Sequence, residues 1–475
     1  MARYNEAVVL SISLLLTAGA ALGVFLWVRH ASLPPQNLQN SAEQELANLA
    51  AKIKDRFSTG ERWLIPLQGD SSLKQQASQA IANKDYAQAV SLLTTVLKTQ
   101  PNDPEALIYL NNARIGHRES YTIAVAVPAV KSTTSALEIL RGVAQAQDKA
   151  NQKGGINGVP LKVLIVNDDS DPELTPRIAD LLVSQPEVLG VVGHFSSDAT
   201  LAAVPAYESG GLVMISPTST SVQLSGKGKH IFRTVPSDRF TAQALARYML
   251  QRLGKSKAAV FFNGKSAYSN SLKNEFATAL FADGGQIVAE LDLGDTTLDV
   301  SLAYQQAQQQ GAEVIVLLTN MAILDKALQV VAINRKRLPL LGGDSLYNPK
   351  VLQIAGGSAA GMVVAVPWMA LSHLNSPFVK ASRQYWRGDV NWPTAMSYDA
   401  TVALIQAIQA QGRDRTGIAN FLRSNTLQGS TNSVQFMPGG DRNLGMELVE
   451  IRPHTSQFGY SYFYFPVERG KKPET

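Results

Sequence analysis

The chain has 475 residues, 45% of them hydrophobic, and carries 43 basic against 38 acidic residues for a net charge of +5. At roughly 150 residues per domain this length predicts about three units, each with enough apolar material for a core. Cysteine is absent, which excludes disulfides, zinc–thiolate sites and thiol catalysis, and the basic residues are scattered without blocks or interleaved aromatics, which argues against nucleic acid as a partner.

After a short segment, 1–6, residues 7–28 read AVVLSISLLLTAGAALGVFLWV, an uncharged run. At about 1.5 Å per residue such a run spans a hydrocarbon core of roughly 30 Å, so it predicts a transmembrane helix. A cleavable signal peptide has a shorter apolar region, about 7–15 residues, before its small-residue site. Here the run continues beyond the TAGAA stretch to Trp27, which favours an uncleaved signal anchor. The expected location is the cell membrane, single-pass, with the bulk of the chain extracytoplasmic (periplasmic).

Residues 29–71 form a linker with a short helix over 42–56, set off by Pro34, Pro35, Pro66 and Gly69. From 72 to 118 the pattern turns helical. Ala77, Ala80 and Ile81 share one helix face, Tyr86, Ala87, Val90 and Leu93 a second, and Asn102-Asp103-Pro104 opens a third helix. The alternation of small and large residues resembles one and a half tetratricopeptide repeats. A piece this short needs a neighbour or another chain to lean on, so spacer and protein contact are its expected roles.

From Tyr121 the chain alternates strand and helix. Strands are predicted over 121–127, 161–166, 189–192, 212–215 and 230–234, with helices over 135–151, 171–184 and 200–207 between them. Past Pro236 a second alternation runs to 366, followed by helices over 397–411 and 416–424. Strands over 434–436 and 444–451 then flank a Gly439-Gly440-Asp441 turn, and an aromatic tail follows over 460–465. The predicted fold class is therefore α/β: two doubly wound lobes with a hinge, preceded by the transmembrane helix and a small helical hairpin. The ligand-binding lobes are placed at 119–236 and 237–367, with 368–433 returning to the first lobe and 434–475 forming C-terminal strands and tail.

The stretch 189–221, LGVVGHFSSDATLAAVPAYESGGLVMISPTSTS, is the first candidate for a site. In an open parallel sheet ligands bind outside the carboxyl ends of the strands. Here two such ends carry Ser196, Ser197, Thr218, Ser219 and Thr220. A helix starting near Ser196 and Ser197 directs its free N–H groups at the same place, where anions are favoured. Taken singly, each loop also reads as an ordinary helix cap or hydroxyl turn.

Catalytic signatures are missing. No G-x-G-x-x-G follows the first strand, and neither a G-x-x-x-x-G-K-[ST] nor a G-x-S-x-G occurs. The six histidines are dispersed, and His194 at a strand end reads as a structural donor. No enzyme activity, metal or cofactor is expected.

Four segments in order, GGINGVPLKVLIVNDDSDPE, VVGHFSSDAT, GLVMISPTST and HIFRTVPSD, resemble successive landmarks of the type I periplasmic solute-binding proteins, in particular the branched-chain amino-acid (Leu/Ile/Val) receptors of ABC transporters. The resemblance covers about 121–453. It implies two lobes joined by three hinge crossings, near 236, 367 and 433, that close on a small amino-acid-like ligand. It further implies that Ser197 receives the ligand carboxylate, that Thr220 bonds to carboxylate and ammonium, and that Thr218 offers its carbonyl to the ammonium. Asp344 would pair with the ammonium and Tyr268 would supply an aromatic from the second lobe. Asn320, beside Met321, stands where related receptors place a tyrosine, and Ser135 lies where some have an aromatic. This more polar pocket leaves open a polar amino acid, a small amide or a urea-like molecule. The expected partner is an ABC permease; a sensing or scaffolding receptor acting on a signalling partner through its helical repeats is the alternative.

Overall fold

The first lobe is built on a six-stranded sheet in the order β1-β3-β2-β4-β5-β6, and the second on a seven-stranded sheet. The computed structural model describes residues 53–67, 71–455 and 461–468, so the apolar run 7–28 and most of the predicted helix 42–56 lie outside the described residues. The chain from Phe57 onward forms one unit, separate from residues 1–56. Among the described residues no helix is long and apolar enough to cross a membrane.

The unit opens with β1 (Phe57–Ser58), a two-residue strand, and three helices: α1 (Ser72–Ala82), α2 (Tyr86–Thr99) and α3 (Pro104–Ile115). Asp85 and Asp103 cap the second and third through their carboxylates, and Pro104 opens α3, where its missing N–H costs nothing. The three helices pack in series, and α3 lies against the first lobe. Nearly every residue of α3 is buried, so the hairpin leans on the lobe. Glu105 in α3 fastens the preceding segment: its carboxylate accepts the N–H groups of Leu64 at 2.7 Å and Ile65 at 3.2 Å and the Tyr109 hydroxyl at 2.8 Å. With that segment held, β1 pairs antiparallel to β3, an edge contact the sequence did not announce.

The first lobe proper contains β2 (Tyr121–Val127), α4 (Thr133–Gln152), β3 (Leu161–Asn167), α5 (Thr175–Val183), β4 (Val188–Val192), α6 (Ser197–Gly210), β5 (Met214–Ser216) and β6 (Ile231–Arg233). Apart from β1 all its neighbouring strands are parallel. The strands read as near-continuous apolar runs because helices cover both faces.

The second lobe contains α7 (Asp238–Arg247, continued by a π turn over Tyr248–Arg252), β7 (Lys257–Phe262), α8 (Ala267–Ala282), β8 (Gln286–Asp292), α9 (Val300–Gln309), β9 (Val314–Leu318), α10 (Leu324–Asn334), β10 (Leu340–Gly342), α11 (Pro349–Ile354) and β11 (Val363–Val366). The chain then adds α12 (Pro377–Trp386), α13 (Trp392–Gln411) and α14 (Arg415–Ser424), with α13 packed on α4 of the first lobe. Last come β12 (Glu447–Pro453) and β13 (Tyr462–Pro466), which extend the second sheet antiparallel beside β11 in the order β13-β12-β11-β10-β9-β7-β8. The aromatic tail is thus an edge strand.

Three differences from the sequence reading concern local physics. Residues 434–436 make isolated bridges, Leu427 with Val434 and Phe436 with Arg442, and no regular strand, since the Pro438-Gly439-Gly440 turn reverses the chain at once. These residues stay with the first lobe: Asp441 bridges Arg233 and accepts its Nε–H at 2.7 Å, so the third passage between sheets falls at 443–446. The helix α13 begins at Trp392 rather than 397, because Asn391 caps it and Pro393 is tolerated in the first turn.

Candidate functional site

The carboxyl ends of β4 and β5 carry the hydroxyl loops. Ser196 caps α6, its Oγ accepting the Ala199 N–H at 3.2 Å. Ser197 Oγ accepts the Ser221 N–H at 3.3 Å and so ties the two loops together. Thr218 Oγ1 donates to the Phe195 carbonyl at 2.8 Å, and Ser219 Oγ pairs with Thr200 Oγ1 at 2.6 Å. Those two side chains therefore hold the loops in place. Thr220 Oγ1 differs: it is buried and has no hydrogen-bond partner. Behind the loops His194 is fully buried, with Nδ1 at 2.5 Å from Asp168 and Nε2 at 2.9 Å from the Tyr207 hydroxyl, so it braces the strand ends.

The facing wall comes from the second lobe. The Tyr268 hydroxyl donates to Asp344 Oδ1 at 2.5 Å. Gly343 permits this approach, since a Cβ there would stand 2.5 Å from the Tyr268 hydroxyl. Burial pushes the Asp344 carboxyl up to about 6, partly offset by the Tyr268 hydrogen bond, and holds the Tyr268 phenol well above its usual range. Asn320, one strand over, accepts from Asn263 Nδ2 at 3.0 Å.

The two walls touch. Asp198 in the first turn of α6 accepts the Ala267 N–H at the start of α8 at 2.9 Å, and Ser271 on α8 accepts the Val222 N–H at 3.0 Å. The structure brings Ser197, Thr220, Tyr268 and Asp344 to the two sides of one cleft. It engages Thr218 and Ser219 through their side chains within the first lobe, and leaves Ser196 as a helix cap.

Sequence reasoning missed Asp238. It is the first residue of α7, directly after the first passage between lobes, and is completely buried. Neither carboxylate oxygen makes a hydrogen bond of good geometry, although the Ser271 and Thr220 hydroxyls lie close enough to stabilise its charge. Burial is the largest cause that pushes its pKa up to about 7; the nearby Ser271 and Thr220 hydroxyls lower it and the charge of Asp344 raises it. Two carboxyls thus share the cleft, and a cation between them would relieve both. The signal was present in VPSD, where an acid follows a serine at a helix start. It reads equally as an ordinary first-turn acid, which is why it escaped notice.

Two α/β lobes linked by three passages, with the N-terminus of α6 and the Thr220 hydroxyl on one wall and buried carboxyls on the other, form the architecture of a two-lobed binding protein with polar groups facing each other between the lobes. The chain belongs to the periplasmic binding protein family, whose profile matches residues 123–452. It is similar to the leucine-, isoleucine-, valine-, threonine- and alanine-binding protein of Pseudomonas aeruginosa, 24% identical over 65% of this chain and 83% of that one. It is also similar to the Leu/Ile/Val-binding protein of Escherichia coli, 26% identical over 60% of this chain and 78% of the relative. Among solved structures, an ABC transporter substrate-binding protein from Desulfitobacterium hafniense matches with a TM-score of 0.61 and 25% identity, covering 73% of this chain and all of that one.

Proposed function

We propose that this protein is the extracytoplasmic solute receptor of an ABC transporter, held at the membrane by residues 7–28, and that it captures an amino-acid-like ligand between its lobes without chemical change. The observation that carries this reading is the pair of buried carboxyls, Asp238 and Asp344, facing the hydroxyl loops and the N-terminus of α6. A zwitterion meets both demands at once. Its carboxylate is suited to the helix N-terminus, with Ser197 and Thr220 as hydroxyl partners, and its ammonium to Asp344, Asp238 and the Thr218 carbonyl. Tyr268 orients Asp344 and closes the wall beside it.

Relatives that bind leucine, isoleucine and valine by name support an amino acid as the ligand class. The anchor confines capture to the vicinity of the membrane, raising the local concentration offered to a permease. The helical segment 72–115 presents the outer faces of α1 and α2 as a contact surface for that partner.

The reading is tested by thermal shift of the full chain in detergent micelles against L-amino acids, small amides and urea. Ligand that binds only the folded state raises the melting temperature. A rise with one or more amino acids is expected; a flat response across the amino acids contradicts the reading.

A further inference from the structure

Three parallel strands of the second lobe end side by side at the cleft. Asn263 follows β7 directly, and Asn320 and Asp344 each stand two residues past β9 and β10. In the sheet β9 lies between β7 and β10, so Asn320 occupies the middle of this wall, next to the carboxyl that the proposed ammonium would meet.

The orientation of the Asn320 amide follows from a short chain of hydrogen bonds. The Lys265 backbone N–H donates to Asn263 at 3.0 Å, and a backbone N–H can only donate. The atom it reaches is therefore Asn263 Oδ1, and the other end of that amide is Nδ2. Asn263 Nδ2 in turn donates to Asn320 at 3.0 Å, which fixes the receiving atom as Asn320 Oδ1. Asn320 must then turn its Nδ2 away from Asn263. Among the described residues Nδ2 makes no hydrogen bond, and Asn320 is half-buried. The supporting amide is held closely: a Cβ at Gly294 would stand 2.2 Å from Asn263 Oδ1, so only glycine leaves room for it.

Resting on the reading of the cleft as an amino-acid site, we propose that Asn320 Nδ2 is a specificity-determining donor and that the ligand is an amino acid whose side chain ends in a hydrogen-bond acceptor, such as a carboxamide, a sulfoxide or a carboxylate. An apolar side chain in the closed cleft strips water from this N–H pair and returns nothing, which costs on the order of tenfold to a hundredfold in affinity. An acceptor oxygen restores the bond.

The test is calorimetric titration of the full chain in detergent micelles with two matched pairs: L-methionine sulfoxide against L-methionine, and L-glutamine against L-leucine. The acceptor-bearing member of each pair is expected to bind at least about tenfold tighter. Asn320→Leu should abolish that preference, chiefly because L-methionine and L-leucine no longer strip water from an unpaired donor and bind more tightly than to the unaltered protein. Asn320→Asp keeps an acceptor for Asn263, and so the local fold, but faces an oxygen to the ligand; it should disfavour the sulfoxide. Tighter or equal binding of L-methionine and L-leucine by the unaltered protein overturns the inference alone, as does an equal loss of all four ligands in Asn320→Leu. Binding of acetamide or urea with none of the four amino acids overturns both this inference and the amino-acid reading.

Discussion

Asp198, in the first turn of α6, accepts the backbone N–H of Ala267, the first residue of α8, at 2.9 Å across the cleft. One carboxylate thus serves the positive ends of two helices that belong to different lobes. This bond exists only when the lobes are together, so it favours the closed form. Asp198→Ala should weaken ligand binding about three- to tenfold, mostly through faster dissociation. Stopped-flow kinetics check this, with small-angle scattering expected to report a more open average shape for the variant.

Asp344→Asn should weaken an amino-acid ligand by more than about tenfold, because it removes a desolvated partner for the ammonium. The same substitution should leave the melting temperature of the ligand-free protein unchanged or raised, since burial already penalises that charge. Titration calorimetry and thermal melts together separate the two effects.

Binding should depend on pH with a definite sign. The Asp344 and Asp238 carboxyls are pushed up to about 6 and about 7 by burial, so both take up protons as the pH falls through that window. An ammonium favours the ionised forms, so binding releases protons and the affinity declines on acidification. We expect at least about tenfold weaker binding at pH 5 than at pH 7.5, with the dependence reduced in Asp344→Asn. Affinity that is constant over this range would contradict the assignment of the two carboxyls.

Glu105 makes a prediction about folding rather than binding. Its carboxylate receives two backbone N–H groups from the segment before α1 and the Tyr109 hydroxyl, and burial pushes its pKa up to about 8. Glu105→Ala removes the acceptor of two buried donors, the Leu64 N–H and the Tyr109 hydroxyl, and of the part-buried Ile65 N–H, and should cost about 3 kcal/mol, with proteolysis appearing within residues 57–67. Because the folded pKa lies above the ordinary value of 4.5, the contribution of this group is greatest below about 4.5 and is lost as the pH rises through about 8. Melts of the unaltered protein and the variant across pH 5–8 check the sign.

The α/β body was legible because its strands are buried on both faces and spell it out: YTIAVAV in β2 and VIVLL in β9 need no long-range information. Other parts depend on partners far away in sequence. The two residues of β1 carry no pattern; their segment is held beside β3 by residues distant in sequence, Glu105 and Asn112, the latter donating to the Thr59 carbonyl at 2.9 Å. The helix α12 begins at a proline, and the sequence reading assigns no element to that stretch. Of the candidate site, the hydroxyls were visible in their loops and Asp344 was implied only by the family resemblance, whereas the division of labour among them was not legible. Thr218 and Ser219 send their hydroxyls into the loop scaffold, and Asp238 becomes significant only when the lobes enclose it. The direction of the Asn320 amide likewise required Lys265, Asn263 and Asn320 to be seen together.

Recognition of a ligand ammonium by the buried carboxyls is the centre of this account. It is tested most directly by titrating the full chain with L-glutamine and with the des-amino analogue that keeps its carboxylate and carboxamide. The account predicts that the amino acid binds and that the analogue binds at least about a hundredfold more weakly, since a desolvated charge pair is lost and the carboxyls keep their burial penalty. Equal affinity for the two compounds would contradict it.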